Sequence, residues 1–492
     1  SVIATPAQTN VVPARSSKRS RRTGLGLLLA CSLACDAPAK PRAPDASALA
    51  AQRERPASLR LAIVPDLAGT LEPCGCTRDV AGGVDRLAAA LRALEPSPTP
   101  LIKIASGALF VRPSDPRAAE AERAQDAQRV DALRAALASI RFEVLAPTPR
   151  DLGDFASPLA SLARETQSVL LGRRAASELP SLQPSALLPQ AGLAILNAIG
   201  DEAASSAVRA RLAADVRRLR SEGARLVLLV SQGSPRDDTL TEQVGADLVV
   251  RSIGSPAASV GVRGNTLELA GGYQGEGLWQ VELWLTDAPS AGLTLVDEAP
   301  RADQPLPRAV ARARYRQLDR SAPRDPALRA LLDQLFARIN AQNQTSATSV
   351  VHAADRPRGS GRYVGSQTCA ACHTAAYVWW RETPHGRAYE SLRARGRQLD
   401  LDCIGCHVTG YGRPGGASLA ALDALQGVGC ESCHGPGEAH VDDPRSARQP
   451  ITRRVDAARC TECHDPAHSD GFDARSARAS LSARGHAERA AW

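Results

Sequence analysis

At 492 residues the chain has room for two or three domains. Only 3% of it is aromatic, which is little for side chains alone to fill interiors of that size. The formal charge of +8 rests almost wholly on arginine spread through Ala/Leu-rich stretches. No basic patch interleaves with aromatics, which argues against nucleic-acid binding.

Residues 15–22 (RSSKRSRR) form a basic run, followed by an apolar stretch from Gly24 to about Ala34. The stretch is too short to span a bilayer and has the layout of a secretory signal peptide. Its end, LLLACSLACD, resembles a bacterial lipobox, with Cys31 (after Leu28, Leu29 and Ala30) fitting slightly better than Cys35 (after Ser32, Leu33 and Ala34). The alternative is an ordinary cleaved signal with incidental cysteines. Residues 1–35 are thus read as signal peptide with lipobox, and 36–58, rich in Ala, Pro and Arg, as a flexible tether. No other segment is apolar enough to cross a membrane.

Over 59–289 apolar strand-like runs alternate with Ala/Leu/Arg helices, which predicts an α/β domain with a largely buried sheet. The strands expected are 59–65, 101–106, 142–147, 193–199, 224–231, 246–252 and 278–285, with helices near 82–95, 116–139 and 203–221. The stretch PDLAGTLEPCGCTRDVAGGVDRLAAAL resembles the opening strand, loop and first helix of calcineurin-like metallophosphoesterases of the bacterial 5′-nucleotidase type. That resemblance implies an α/β sandwich and a two-metal hydrolytic centre. Asp66 matches the Asp of the family's Asp-x-His pair, but Ala68 stands where the His should be. Gly107-Ala108 replaces Gly-Asp, no Gly-Asn-His motif lies near Pro147–Asp151, Gln232 replaces a strand-end His, and VVRSIGS lacks the final Gly-His-x-His. All nine histidines lie between His352 and His486, outside this domain. A two-metal centre needs a cage of His and carboxylates, so the domain reads as degenerate and non-hydrolytic.

LEPCGC places Cys74 and Cys76 around one glycine, too tight for an easy mutual disulfide. A reactive or metal-binding pair is one reading and structural or vestigial cysteines the other. LEPCGC followed by a GG-x-x-R helix also resembles nucleotidase-like proteins fused to multihaem cytochromes. Residues 290–357 read as linker with one packing helix around 326–341.

The last segment, 358–492, carries Cys-x-x-Cys-His four times: Cys369/Cys372/His373, Cys403/Cys406/His407, Cys430/Cys433/His434 and Cys460/Cys463/His464. This is the attachment pattern of c-type haem. Two thiols two residues apart reach one porphyrin edge, and the adjacent His supplies the proximal nitrogen to iron. Zinc hooks and disulfide frameworks use paired cysteines too, but neither requires a His after every second Cys. The motifs predict four covalent haems c and, because such attachment occurs outside the cytoplasm, export to the periplasm or cell envelope.

The chain has no methionine, so the usual Met axial ligand is excluded and paired histidines are expected. YVGSQTCAACHTAAYVWWRETPHGRAYESL, CIGCHVTGYGRPGG and GVGCESCHGPGEAH resemble the tetrahaem cytochrome c554 family, which implies a mainly α, haem-packed domain with closely stacked haems passing electrons. In that resemblance His385 and His440 match distal ligand positions, and His486 looks like a third. His352 and His468 read as exposed. Three distal candidates for four irons leave one iron without an assigned distal ligand, which keeps an open site as an alternative. The primary reading is therefore an electron carrier between redox protein partners, membrane-attached through a lipid anchor. The alternative is an oxidoreductase of small nitrogen or sulfur species at an open haem, with residual phosphoesterase activity as a third.

Overall fold

The computed structural model describes residues 53–481 except 74–79, 111–119, 173–178, 180–181, 199–204, 233–242, 253–256, 287–291, 350–360, 446–450, 466–467 and 470. Cys31, Cys35, Cys74, Cys76, His352 and His486 therefore lie outside the described residues.

The first body is built on β1 (Leu59–Pro65), α1 (Val84–Arg92), β2 (Leu101–Gly107), α2 (Glu120–Ile140), β3 (Val144–Pro147), α3 (Pro149–Asp154), α4 (Ala156–Thr166), β4 (Val169–Leu171), β5 (Leu182–Gln183), β6 (Ser185–Leu188) and β7 (Leu193–Ala198). It continues through α5 (Ser206–Ser221), β8 (Leu226–Ser231), β9 (Leu248–Arg251), β10 (Ser259–Arg263), β11 (Thr266–Ala270), β12 (Gly277–Trp284), β13 (Thr294–Leu295), β14 (Val310–Gln317) and α6 (Pro326–Ser349). Eight strands form one sheet in the order β13-β14-β12-β1-β2-β3-β4-β5, and six form the other as β10-β11-β9-β8-β7-β6. β1 to β5 run parallel, with β12 joining β1 antiparallel in the register Ile63↔Trp279.

The near-continuous apolar runs have a direct cause, since both faces of each sheet are covered. Leu59, Leu61 and Ile63 point between the sheets, where they meet Ile195, Leu228 and Val250. Ala62 and Val64, one residue out of phase, pack outward against Leu87, Leu133, Leu332 and Phe336 of the helices. On the far side Leu212, Val216 and Leu219 of α5 cover Leu196, Val227 and Val249. The result is a helix–sheet–sheet–helix sandwich.

All seven expected strands form. The structure adds others, among them β14 (VARARYRQ) within the stretch read as linker; it pairs antiparallel with β12. Its inward side is Ala311, Ala313 and Tyr315, and alanine alternating with arginine carries little hydrophobic contrast. Tyr315 meets Trp279 edge-on at 5.2 Å, while Arg312 on the other side reaches Glu282. The helix expected around 326–341 extends to Ser349 and covers the first sheet.

The C-terminal region has short helices: α7 (Ser366–Cys369), α8 (Thr374–Arg381), α9 (Ala388–Arg393), α10 (Leu401–His407), α11 (Cys430–His434), α12 (Glu438–Asp442), α13 (Ala458–Thr461) and α14 (Ala474–Leu481). Its side-chain core is small, centred on Tyr389, Leu399, Ile404, Val408, Ala417, Leu422 and Leu425. No helix among the described residues is long and apolar enough to cross a membrane.

Candidate functional site

Each Cys-x-x-Cys-His motif makes about one helical turn, which brings its thiols and imidazole to one side. The N–H of His373 donates to the Cys369 carbonyl at 2.8 Å and that of His464 to the Cys460 carbonyl at 2.9 Å. Side-chain bonds then orient the rings. His407 Nδ1 donates to the Ala388 carbonyl and His434 Nδ1 to the Thr452 carbonyl, both at 2.7 Å. A carbonyl oxygen only accepts, so Nδ1 carries the proton and Nε2 keeps the lone pair a metal needs. His464 Nδ1 lies 2.8 Å from Ser469 Oγ. Burial lowers the pKa of His407, with the Ala388 bond in partial opposition. Burial also lowers that of His464, and burial with the neighbouring His464 lowers that of His385.

Two histidines from outside the motifs face motif histidines. His440 on α12 lies opposite His373 with ring centroids 6.3 Å apart, and His385 lies opposite His464 at 6.1 Å. His464 also stacks on Phe472 at 4.1 Å. His385 is placed by the turn after α8, where Trp380 Nε1 donates to the Val428 carbonyl at 2.9 Å and Val428 N donates to the His385 carbonyl. The motifs also approach one another in pairs. Cys430 lies close enough to raise the pKa of the Cys369 thiol, and Cys406 close enough to lower that of Cys463.

One continuous cavity of about 2750 Å³ is lined by all eight motif cysteines, the four motif histidines, His385, His440 and His468. Ordinary small-molecule pockets occupy ~300–1,000 Å³, so the space fits several macrocycles. Ala68, Gly69, Thr70 and Gln274 of the first body also border it. His468 has a half-exposed side chain held by Asp465 at 2.8 Å.

Residues 368–435 match the family model described as cytochrome c554 and c-prime. The C-terminal part is a cytochrome c554-like domain. Over 113 residues the chain is 38% identical to cytochrome c-554 of Nitrosomonas europaea, a match covering 20% of this chain and 46% of that protein. The chain thus spans about half the length of the curated relative it matches. This likeness supports covalently bound haem c.

Sequence reading missed the residue that ties this cytochrome domain's first and third motifs together. Glu431, the first spacer residue of Cys430–Cys433, is 2% exposed. Its carboxylate accepts the N–H groups of Val364, Gly365 and Gly437 at 2.9, 2.7 and 2.6 Å. One side chain thereby fixes the segment entering α7, which precedes His373, and the start of α12, which carries His440. Gly365 sits at φ 85°, and a Cβ there would lie 2.3 Å from the Ala424 carbonyl oxygen. A spacer between two attachment cysteines carries no pattern that marks it as a structural anchor, so only its burial discloses it.

In the sandwich, the positions where the metallophosphoesterase resemblance expects metal ligands are tied into hydrogen bonds. Asp66 Oδ1 accepts the Ala108 N–H at 2.8 Å. Gln232 Nε2 donates to the Pro147 carbonyl at 2.7 Å and to Asn197 Oδ1 at 3.0 Å. Gly107, at φ 77°, lies where a Cβ would collide with the Asp66 carboxylate. Among the described residues no group of three His, Cys, Asp or Glu side chains is arranged to hold a metal ion. Asp151 accepts from the Leu109 and Phe110 N–H groups at 3.1 and 2.8 Å and from Thr148 Oγ1 at 2.6 Å, closing a capping box on α3. Asp151→Ala is expected to cost on the order of 3 kcal/mol by orphaning these donors, read as a lower urea midpoint with an unchanged slope.

The sandwich is similar to the 5′-nucleotidase precursor of Thermus thermophilus, at 15% identity and TM-score 0.45 over 57% of this chain and 59% of that one. It is also similar to a calcineurin-like phosphoesterase of Bacillus subtilis, at 9% identity and TM-score 0.41 over 58% of this chain and 98% of that one.

Proposed function

We propose that the protein is an exported four-haem c-type cytochrome that passes electrons between redox protein partners. The observation that carries this reading is the facing of His373 with His440 and of His385 with His464 inside one cavity that all four attachment motifs line. Two imidazoles on opposite sides of one metal, each bonded at ~2 Å through nitrogen, have ring centroids roughly 6 Å apart. The observed separations fit that arrangement. The haems, when bound, supply reversible one-electron iron chemistry. The chain's own part is to hold Nε2 of each motif histidine toward the cavity and to keep water from much of the porphyrin surface. It also brings the first motif against the third and the second against the fourth, through the Cys369–Cys430 and Cys406–Cys463 contacts.

Export is part of the proposal, with Cys31 or Cys35 as the lipid-bearing residue. The N-terminal domain serves partner recognition and not hydrolysis, which the hydrogen-bonded state of Asp66, Gln232 and Asp151 supports. Added manganese or zinc is expected to give no phosphodiesterase or nucleotidase turnover by the full-length protein. Metal-dependent hydrolysis above that of an Asp66→Ala control would end that part of the reading.

A second reading follows from the supply of histidines: the sequence offers three distal candidates, His385, His440 and His486, for four motif histidines. An open iron would make the protein a redox enzyme for a small nitrogen or sulfur species. An EPR spectrum of the oxidised, loaded protein separates the two readings. Low-spin signals alone mark a carrier, and a high-spin signal from one haem marks the enzyme.

A further inference from the structure

The sandwich grips the cytochrome region at the turn that begins α10, the helix of the second attachment motif. Asn340 on α6 donates to the Gly396 carbonyl at 2.6 Å and accepts the Leu399 N–H at 3.1 Å. Asn343, fully buried, donates to the Leu399 carbonyl at 2.8 Å. From α2, Gln125 accepts the Leu401 N–H at 3.0 Å and donates to Asp400 Oδ1 at 3.1 Å. Arg129, also on α2, donates to both Asp400 oxygens at 2.7 Å and lies 3.2 Å from Asp402 Oδ2.

Asp400 is fully buried and is the N-cap of α10, accepting the Asp402 N–H. Its carbonyl takes the N–H groups of Cys403 and Ile404 at 3.0 and 2.9 Å. A second arginine, Arg397, lies over the Phe336 ring at 3.7 Å, and Glu72 bonds both it and Arg329. Burial acts to lower the Arg129 pKa, but Asp400 and Asp402 outweigh it, so the guanidinium stays charged. Burial pushes the Cys403 thiol up to about 12, with smaller effects from the charges of Asp400, Arg397, Arg129 and Asp402.

A buried ion pair of this kind is a poor source of net stability, because desolvation offsets the attraction. It does place fixed charges in a low-dielectric setting, where they act strongly on a neighbouring redox centre. We propose that Arg129 and Asp400 set the reduction potential of the haem carried by Cys403 and Cys406, which makes the phosphoesterase-like domain a tuning element of the electron path. The inference rests on the haem reading above. One electron entering the ferric iron lowers the local charge by one, so a nearby cation favours reduction and a nearby carboxylate opposes it.

The test is a potentiometric titration of the full-length, haem-loaded protein, followed by optical and EPR spectra. Arg129→Gln is expected to lower the midpoint of one haem and Asp400→Asn to raise it, while the other haems do not move. A tenfold change in that haem's oxidised-to-reduced ratio corresponds to ~59 mV for one electron. A packing defect alone would not give shifts of opposite sign, so unmoved midpoints or shifts of one sign overturn the proposal. Where Arg129→Gln does not fold, Asp402→Asn tests the same charge on a partly exposed side chain and must raise the same midpoint. Haem content measured on each sample separates the two failures. Absence of covalent haem defeats the haem reading, and loaded protein with unmoved potentials defeats only this one.

Discussion

Replacing His440 with alanine is expected to turn one low-spin haem high-spin and leave the others unchanged. His440 stands across from His373 at 6.3 Å, and no methionine exists in the chain to take its place. On the proposed pairing the haem at risk is the one on Cys369 and Cys372 of the first motif, although the substitution is made beyond the third. His385→Ala is expected to do the same to the haem on Cys460 and Cys463, through the loss of the partner of His464. Each variant should gain an EPR signal amounting to one high-spin haem, and the double variant two. Loss of the axial imidazole leaves covalent attachment intact, because the thioether cysteines are untouched. A spectrum in which His440→Ala keeps all low-spin signals would mean that the facing rings do not share an iron.

Glu431→Ala is expected to have the largest effect on stability of any substitution within a motif. It leaves the N–H groups of Val364, Gly365 and Gly437 without their charged acceptor. Hydrogen bonds to charged groups contribute about 1.5–3 kcal/mol each, so the combined loss is on the order of 4 kcal/mol once some donors regain water. Because the same carboxylate holds α7 beside α12, the loss should also separate His373 from His440. The variant should therefore unfold at lower urea and gain the high-spin signal of His440→Ala. Glu431→Gln keeps one acceptor oxygen and is expected to retain most of the low-spin spectrum at a cost of about 1–2 kcal/mol.

These residues show how unevenly the molecule could be read from its sequence. The four Cys-x-x-Cys-His motifs were legible because each sets the same residue types at the same spacing. The seven core strands were legible because burial on both faces leaves long apolar runs such as LVLLVS. β14 was not, since alternate alanines offer too little contrast with arginine, and its place depends on pairing with β12. His385 and His440 were singled out as distal candidates through family likeness, but the motif histidines they face were not. Which motif each one serves depends on how distant segments fold back, and nothing local records that. Glu431, Asp400 and Arg129 escaped for a related reason. They read as surface charges until burial and long-range partners show them to be anchors, and Arg129 meets Asp400 across 271 positions of sequence.

The count of covalent haems tests the account most directly. The full-length protein, made with c-type haem maturation and purified, would be measured by intact mass and by its pyridine haemochrome spectrum. A mass increase of four haems, resistant to acid-acetone extraction, is expected, with each Cys-to-Ser pair in a motif removing one. A fully matured chain that carries fewer than four, or one that holds zinc on the motif cysteines in place of haem, would contradict it.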